Sequence, residues 1–167
     1  PTHRGRRTLQ ETPFSQDRER VDGCIVAVGG PSGSGAREVA VALAATWGIG
    51  GNRTVLVDLN ETTPGIARRL GLPLYPHVLT AAERLAVKDP DAVLSAVADR
   101  PASIQFDVIV GLPSPRDWDR LMADDVASIL SACSGTWDRV VVATGPIIED
   151  MQRWADRFGV SRHALAS

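Results

Sequence analysis

The fold of this chain is decided by the stretch Cys24-Ile25-Val26-Ala27-Val28-Gly29-Gly30-Pro31-Ser32-Gly33-Ser34-Gly35-Ala36-Arg37-Glu38. An apolar run leads into a turn rich in glycine, and the turn opens a helical pattern. A strand, a glycine-rich loop and a helix in this order surround an anion with backbone N–H groups and a helix N-terminus. The stretch therefore predicts a phosphate-binding loop at the carboxyl end of a strand.

The loop lacks the side chains that nucleotide-hydrolysing loops of this shape use. Against the pattern G-x-x-x-x-G-K-[ST], Gly30 and Gly35 fit, but Ala36 takes the lysine position and Arg37 the Ser/Thr position. In such loops the lysine contacts the β/γ-phosphates and the hydroxyl holds magnesium. The only lysine of the chain is Lys88. We therefore expect the loop to keep its shape without a magnesium site.

Backbone groups of the loop remain available to a phosphate. The N–H groups of residues 33–37 and the dipole of the following helix favour an anion there. Either Arg37 or Arg116 is expected to supply a cation, since a guanidinium pairs well with phosphate. The alternative is that Arg37 points to solvent beside Glu38. The candidate cofactor-binding residues are Gly30, Ser32, Gly33, Ser34, Gly35, Ala36, Arg37, Asp58 and Asn60.

Composition and charge give little indication of a nucleic-acid or membrane partner. The chain has 167 residues, 44% of them hydrophobic and 23% charged, with a net charge of −2 and a pI of about 5.9. This balance gives no strong signal for nucleic acid or a membrane surface. No apolar stretch approaches the roughly 20 residues of a membrane span, and the start has no apolar signal-peptide region. We expect a cytoplasmic protein.

Two parts of the chain differ in character. Residues 1–20 hold five arginines and few aliphatic side chains, which predicts a flexible basic tail or linker. Residues 21–167 form the predicted domain. Cys24 and Cys133 lie in apolar patterns and are expected to be core thiols, neither a disulfide nor a metal pair.

Strands and helices alternate from residue 21 onward. The predicted strands are residues 24–28, 54–59, 106–110 and 139–144, and helices are predicted at 36–47, 65–70, 80–87, 90–98, 126–135 and 148–158. The strands are near-continuous β-branched runs, as expected when helices cover both faces of a parallel sheet. We predict a doubly wound α/β domain with a mostly parallel sheet in three layers. One or more further strands are expected after Ser167.

One alternative is a dinucleotide-binding reductase. The glycines Gly29, Gly33 and Gly35 also match the G-x-x-x-G-x-G turn of short-chain dehydrogenases, and Asp58 ends the second strand, where an acidic residue meets a ribose. These enzymes use a Tyr-x-x-x-Lys pair for proton transfer. The only tyrosine is Tyr75, and position 79 is leucine. The catalytic pair is therefore missing, although the turn remains compatible with NAD(P) binding.

Motifs after the loop resemble those of MinD/ParA-type P-loop ATPases. The run Gly51-Asn52-Arg53-Thr54-Val55-Leu56-Val57-Asp58-Leu59-Asn60, followed by Gly65-Ile66-Ala67-Arg68-Arg69-Leu70-Gly71-Leu72-Pro73, is similar to their second strand and switch region. The run Phe106-Asp107-Val108-Ile109-Val110-Gly111-Leu112-Pro113 is similar to their Walker-B strand. Three motifs thus occur in the family's order, and the resemblance covers the chain from about residue 21. It implies a P-loop NTPase-like fold with ATP or ADP as the ligand.

Within that superfamily the chain looks like the CpaE/TadZ branch, whose actinobacterial members also lack the P-loop lysine. That branch is tied to Flp (Tad) pilus assembly and to placement at the cell pole or septum. The resemblance implies protein partners in a pilus, secretion or cell-division apparatus, which bring the chain to a membrane or pole. A homodimer is a further implication. Pro31 weakens it, because it stands in place of the family's signature lysine.

The departures from the family pattern predict a pseudo-ATPase. Besides Ala36 and Arg37, Asn60 takes the place of the aspartate that orients the attacking water, and Gly111 that of the Walker-B aspartate. Loss of one such group typically costs about 10²–10³ in rate, and phosphoryl transfer depends on placed charges. We expect no efficient hydrolysis. The remaining alternative is an ATPase whose missing groups come from a partner.

Overall fold

A computed structural model describes residues 23–60 and 63–145. This part of the chain contains four strands and four helices, together with 3-10 turns at Leu94–Ala96 and Pro115–Arg120. In chain order the elements are β1 (Cys24–Val28), α1 (Ala36–Ile49), β2 (Thr54–Leu59), α2 (Ile66–Leu70), α3 (Val78–Ala86), β3 (Asp107–Ile109), α4 (Ala123–Thr136) and β4 (Arg139–Thr144). The predicted tail, residues 1–20, and the predicted last helix lie outside the described residues.

The strands form one parallel sheet in the order β1-β4-β2-β3. The last strand in sequence, β4, therefore lies between the first two. Ala143 of β4 pairs with Val28 of β1 on one side and with Asp58 of β2 on the other. This register aligns the carboxyl ends of the three strands at one edge of the sheet.

Apolar clusters cover both faces of the sheet. On one face α1 and α2 pack on alternate strand residues, with Ala44, Leu56 and Val141 fully buried. On the other face α3 and α4 pack on the intervening residues, among them Val57 and Val140. The period of two along each strand directs successive side chains to opposite helical layers. The predicted three-layer α/β architecture is thus confirmed.

Two predicted helices differ from the structure. Residues 90–98 form only a 3-10 turn, although the Asp89 side chain accepts the N–H of Asp91, as a helix cap does. Helix α2 begins at Ile66, one residue after the predicted start, and Gly65 is its N-cap. The reason lies in Asp58, whose carboxylate accepts the N–H groups of Gly65 and Ile66 and fixes the helix start from a neighbouring strand.

The two cysteines are in different environments. Cys133 is buried in α4, and burial raises the pKa of its thiol to about 12. Cys24 is exposed on β1, which lies at the edge of the sheet formed by the described residues, so its prediction as a core thiol was wrong. An apolar run of this kind predicts a strand covered on both faces, but sequence does not reveal which strand lies at the edge.

This difference predicts two rates of thiol modification. In native protein at pH 8 we expect the exposed Cys24 to react quickly with Ellman's reagent and the buried Cys133 to react only after unfolding, because the thiolate is the reactive form. The variant Cys24→Ser should lose the fast phase, and Cys133→Ser should keep it. A fast phase that survives in Cys24→Ser would contradict the described burial.

Candidate phosphate-binding cleft

A cleft of about 330 Å³ opens at the carboxyl edge of the sheet, where β1, β4 and β2 end. All nine residues predicted from the sequence line this one cleft: Gly30, Ser32, Gly33, Ser34, Gly35, Ala36, Arg37, Asp58 and Asn60. Open α/β sheets place their ligands at this edge, beyond the carboxyl ends of the strands. The cleft also contains Thr63, Ala143 and Thr144, which were not among the predicted site residues.

The glycine loop, residues 29–35, has a backbone that only glycine adopts readily. Gly33 and Gly35 have φ values of 81° and 83°, in the left-handed region. A tight turn is closed by the Ser34 N–H, which donates to the Pro31 carbonyl at 3.0 Å. Helix α1 follows directly and directs its N-terminus at the cleft. The N–H of Ala36 is already bound to the Ser34 hydroxyl at 3.3 Å, so a ligand must compete for that donor.

Arg37 neither points to open solvent nor occupies the loop. Its Nη2 donates to the Thr63 carbonyl at 2.8 Å, across the rim of the cleft. Its guanidinium lies over Gly65, where an added Cβ would come within 2.7 Å of Cζ. Arg37 thus connects the first turn of α1 to the segment before α2. Arg116, the other predicted cation, is not among the residues that line this cleft.

Asp58 is a buried structural carboxylate, with 1% of its surface exposed. Its Oδ1 accepts the Asn60 N–H at 3.1 Å, and its Oδ2 accepts the N–H groups of Gly65 and Ile66, each at 3.0 Å. Burial raises the pKa of Asp58, and these three hydrogen bonds and the charge of Arg37 oppose that rise. The carboxylate is therefore engaged by the backbone and is not presented to a ribose, which removes the main support for the reductase alternative.

Asn60 organises the rim of the cleft. Its Oδ1 accepts the Thr63 N–H at 2.9 Å and lies 3.4 Å from the Thr63 hydroxyl. An aspartate at this position would bring a second charge close to Asp58. The amide instead holds the chain that returns from β2 toward α2.

The strand beside the loop is β4 and not β3. Gly111 follows β3 at the far edge of the sheet, separated from β1 by both β4 and β2. It does not line the cleft, and a Cβ there would lie 3.0 Å from the Asp58 Cγ. The prediction that Gly111 replaces a magnesium-site aspartate was therefore wrong. Ala143 and Thr144 occupy the neighbouring strand end, and neither supplies a carboxylate.

The described residues contain no group of three or more His, Cys, Asp or Glu side chains able to hold a metal ion. Among the helices of residues 23–60 and 63–145, none has the length and apolar character needed to cross a membrane.

Comparison with solved structures identifies the fold. The chain superposes on a ParA family ATPase from Chlorobium tepidum with a TM-score of 0.59 at 12% identity, covering 81% of this chain and 57% of that one. The Pyrococcus horikoshii septum site-determining protein MinD, solved with Mg-ADP, gives 0.54 at 17% identity, with 71% and 46% covered. The kinase domain of the Escherichia coli tyrosine kinase ETK gives 0.59 at 18% identity, with 77% and 49% covered.

These similarities show a shared fold, since their sequence identities are low. The chain spans about half of the length of these structures. No protein-family model matches the sequence, and no curated protein matches it either. The chain therefore has the parallel α/β fold of ParA/MinD-like P-loop proteins and of tyrosine kinase domains that share it.

Proposed function

We propose that this chain is a MinD/ParA-like pseudo-ATPase that binds ATP or ADP at the glycine loop without hydrolysing it. The observation that carries the proposal is the cleft itself. It combines the left-handed glycines Gly33 and Gly35 with the N-terminus of α1, yet it has Ala36 and Arg37 where lysine and a hydroxyl would serve catalysis. Backbone groups favour an anion there, and the charges that stabilise phosphoryl transfer are missing.

Among the described residues, the two carboxylates that line the cleft, Glu38 and Asp58, are both already engaged and are not free to hold magnesium or to orient the attacking water. Glu38 is paired with Arg69 at 2.9 Å. Asp58 is committed to three backbone N–H groups, and the strand end beside the loop carries Ala143 and Thr144. Mg²⁺ in nucleotide sites is usually held by one or two carboxylates together with phosphate oxygens. We therefore expect nucleotide binding that does not depend on magnesium.

We further propose that the protein works as a localisation or assembly factor through protein contacts. The solved proteins that share the fold include a septum site-determining protein and a plasmid partition protein. A retained nucleotide cleft without turnover suits a binding-only switch. The resemblance to the CpaE/TadZ branch, whose actinobacterial members also lack the P-loop lysine, makes a Flp/Tad-type pilus, secretion or septum apparatus the partner to test, at a membrane or cell pole.

Nucleotide binding is expected to raise the thermal midpoint of unfolding. ATP and ADP at millimolar concentration should each raise it, with or without EDTA, whereas NADPH should not. A ligand at about 100 times its Kd stabilises by about 2.7 kcal/mol, which corresponds to roughly 5–10 °C for a domain of this size. Phosphate release from ATP should stay at the level of a heat-denatured sample.

A pair of glycine variants locates the effect. Gly33→Val should abolish the nucleotide-induced shift, because a β-branched residue is strained at a φ of 81°. Gly51→Val is the matched control, since Gly51 has a φ of 82° and open space around it but lies outside the cleft. A shift with NADPH alone, or ATP turnover that Arg37→Ala abolishes, would overturn the proposal.

A further inference from the structure

A shallow depression of about 500 Å³ adjoins the cleft and shares Arg37 and Thr63 with it, but it contains no residue of the glycine loop. Its floor is the segment Thr63, Pro64 and Gly65, and its walls carry three arginines. Arg37 comes from α1, and Arg68 and Arg69 come from α2. The fold thus brings three guanidinium groups from two helices to one depression, which we call the arginine pocket.

The position of Arg37 in the arginine pocket is fixed by the backbone beneath it. Its bond to the Thr63 carbonyl uses one of its five N–H donors. The Arg37 guanidinium lies against Gly65, which has no side chain to exclude it. A Cβ added at Gly65 would lie at or below 3.0 Å from Cζ, Nη1 and Nη2 of Arg37. Arg37 is therefore pre-positioned.

The other two arginines keep unused donors. Arg69 donates through Nε to both oxygens of Glu38, at 2.9 and 3.1 Å, which leaves its two terminal nitrogens outside that pair. Within the described part of the chain, Arg68 forms no hydrogen bond or ion pair. Each guanidinium carries five donors in a plane, which suits the oxygens of phosphate.

The local charge is positive. The carboxylate of Glu38 is paired with Arg69, but both side chains are more than half exposed, so water screens this pair. Asp58 also acts on Arg37, yet its oxygens are bound to backbone N–H groups. Among the described residues, three cations face two carboxylates, and one of these, Asp58, is buried. An anion that enters the arginine pocket meets an excess of positive charge.

We propose that the arginine pocket binds a phosphate group, separately from the glycine loop. Its donors are guanidinium side chains, whereas those of the loop are backbone amides. Arg68 lines this depression and not the cleft. The ligand class is a phosphate monoester or diester, carried by a soluble metabolite or by a lipid headgroup. This site goes beyond the proposed nucleotide binding and does not depend on it.

The test is a titration of the ¹⁵N-labelled chain with pyrophosphate, followed by NMR. The amides of Gly65, Arg68 and Arg69 should shift saturably. Arg68→Gln should weaken this binding about tenfold, as loss of a charge-assisted hydrogen bond does. Gly65→Ala should weaken it to a similar extent, because it displaces Arg37 without removing a charge. The φ of Gly65 is negative, −158°, so alanine meets no left-handed strain there.

Two control variants distinguish binding in the arginine pocket from binding at the glycine loop and from nonspecific attraction to positive charge. Gly33→Val disables the loop and should leave the shifts at residues 65–69 unchanged. Arg53→Gln removes an exposed arginine that pairs with Asp138 near the opposite edge of the sheet, and should also leave them unchanged. Pyrophosphate shifts confined to the loop amides, or equal weakening by Arg53→Gln and Arg68→Gln, would overturn the proposal while leaving nucleotide binding intact.

A second experiment distinguishes a soluble phosphate ligand from a lipid headgroup. Flotation with phosphatidylglycerol vesicles, compared with phosphatidylcholine vesicles, reports on lipid headgroups. Saturable binding of pyrophosphate without flotation assigns the site to a soluble ligand. Flotation that Arg68→Gln abolishes assigns it to a membrane lipid. If neither saturable pyrophosphate binding nor flotation is observed, the proposed site is refuted.

Discussion

Replacing Gly111 with aspartate is expected to destabilise the protein by about 4 kcal/mol and to create no magnesium site. A Cβ at this position would lie 2.9 Å from the Pro64 Cβ and 3.0 Å from the Asp58 Cγ. The new carboxylate would enter a packed region next to a carboxylate that is already buried. Overpacking and like-charge repulsion therefore act together. Urea unfolding followed by tryptophan fluorescence measures the loss.

Two further variants divide this loss into its causes. Gly111→Ala adds the steric contact without the charge, and should cost about 1–3 kcal/mol. Gly135→Asp is the control, because Gly135 is exposed in α4 and an added Cβ meets no atom within 4 Å. Its effect should stay within about 1 kcal/mol. If Gly111→Asp is as stable as the wild type and binds magnesium more tightly, position 111 belongs to a magnesium site beside the glycine loop, and the expectation is wrong.

Truncation of the buried carboxylate in Asp58→Ala is expected to lower the free energy of unfolding by about 3 kcal/mol. The backbone N–H groups of Asn60, Gly65 and Ile66 would lose their acceptor together. Hydrogen bonds to a charged group contribute about 1.5–3 kcal/mol each. Burial opposes ionisation of this carboxyl group, as its raised pKa shows, so the net loss is smaller than the sum of three bonds.

The same urea experiment tests this expectation with an exposed aspartate as reference. Asp99→Ala removes a carboxylate at the surface and should change the stability by no more than about 0.5 kcal/mol. Amide exchange at Gly65 and Ile66 should accelerate in Asp58→Ala and not in Asp99→Ala. Equal stability of the two variants would mean that the start of α2 does not depend on Asp58.

The layers of the fold were predictable from sequence because local signals agree with the final packing. The β-branched runs at 54–59 and 139–144 match β2 and β4 residue for residue. The order of strands across the sheet was not predictable, since it depends on contacts between distant segments. This is why Cys24 was expected in the core, and why the Walker-B position was predicted at Gly111, after β3, although β4 is the strand beside the loop.

The residues that line the candidate cleft could be predicted from the sequence, but the contacts that each of them makes could not. Nine residues chosen from motif spacing do meet at one edge of the sheet. Spacing did not reveal that Asp58 faces inward to the backbone, or that Arg37 reaches the Thr63 carbonyl 26 positions away. Both facts depend on where the segment after β2 turns back. Arg68 and Arg69 lie within the motif that resembles the switch region, but the motif gives them no role, because their proximity to Arg37 arises only in the folded chain.

The central position of β4 has a consequence for synthesis on the ribosome. In the described part of the chain, β1 pairs only with β4, and β4 also pairs with β2. A nascent chain that ends before residue 139 contains the glycine loop and its helix but not the strand that joins β1 to the rest of the sheet. β1 must therefore wait for β4, its partner among the described residues, until more than a hundred further residues have emerged. Unpaired strand edges are prone to association, so the interval before β4 emerges is when the nascent chain most needs protection by a chaperone.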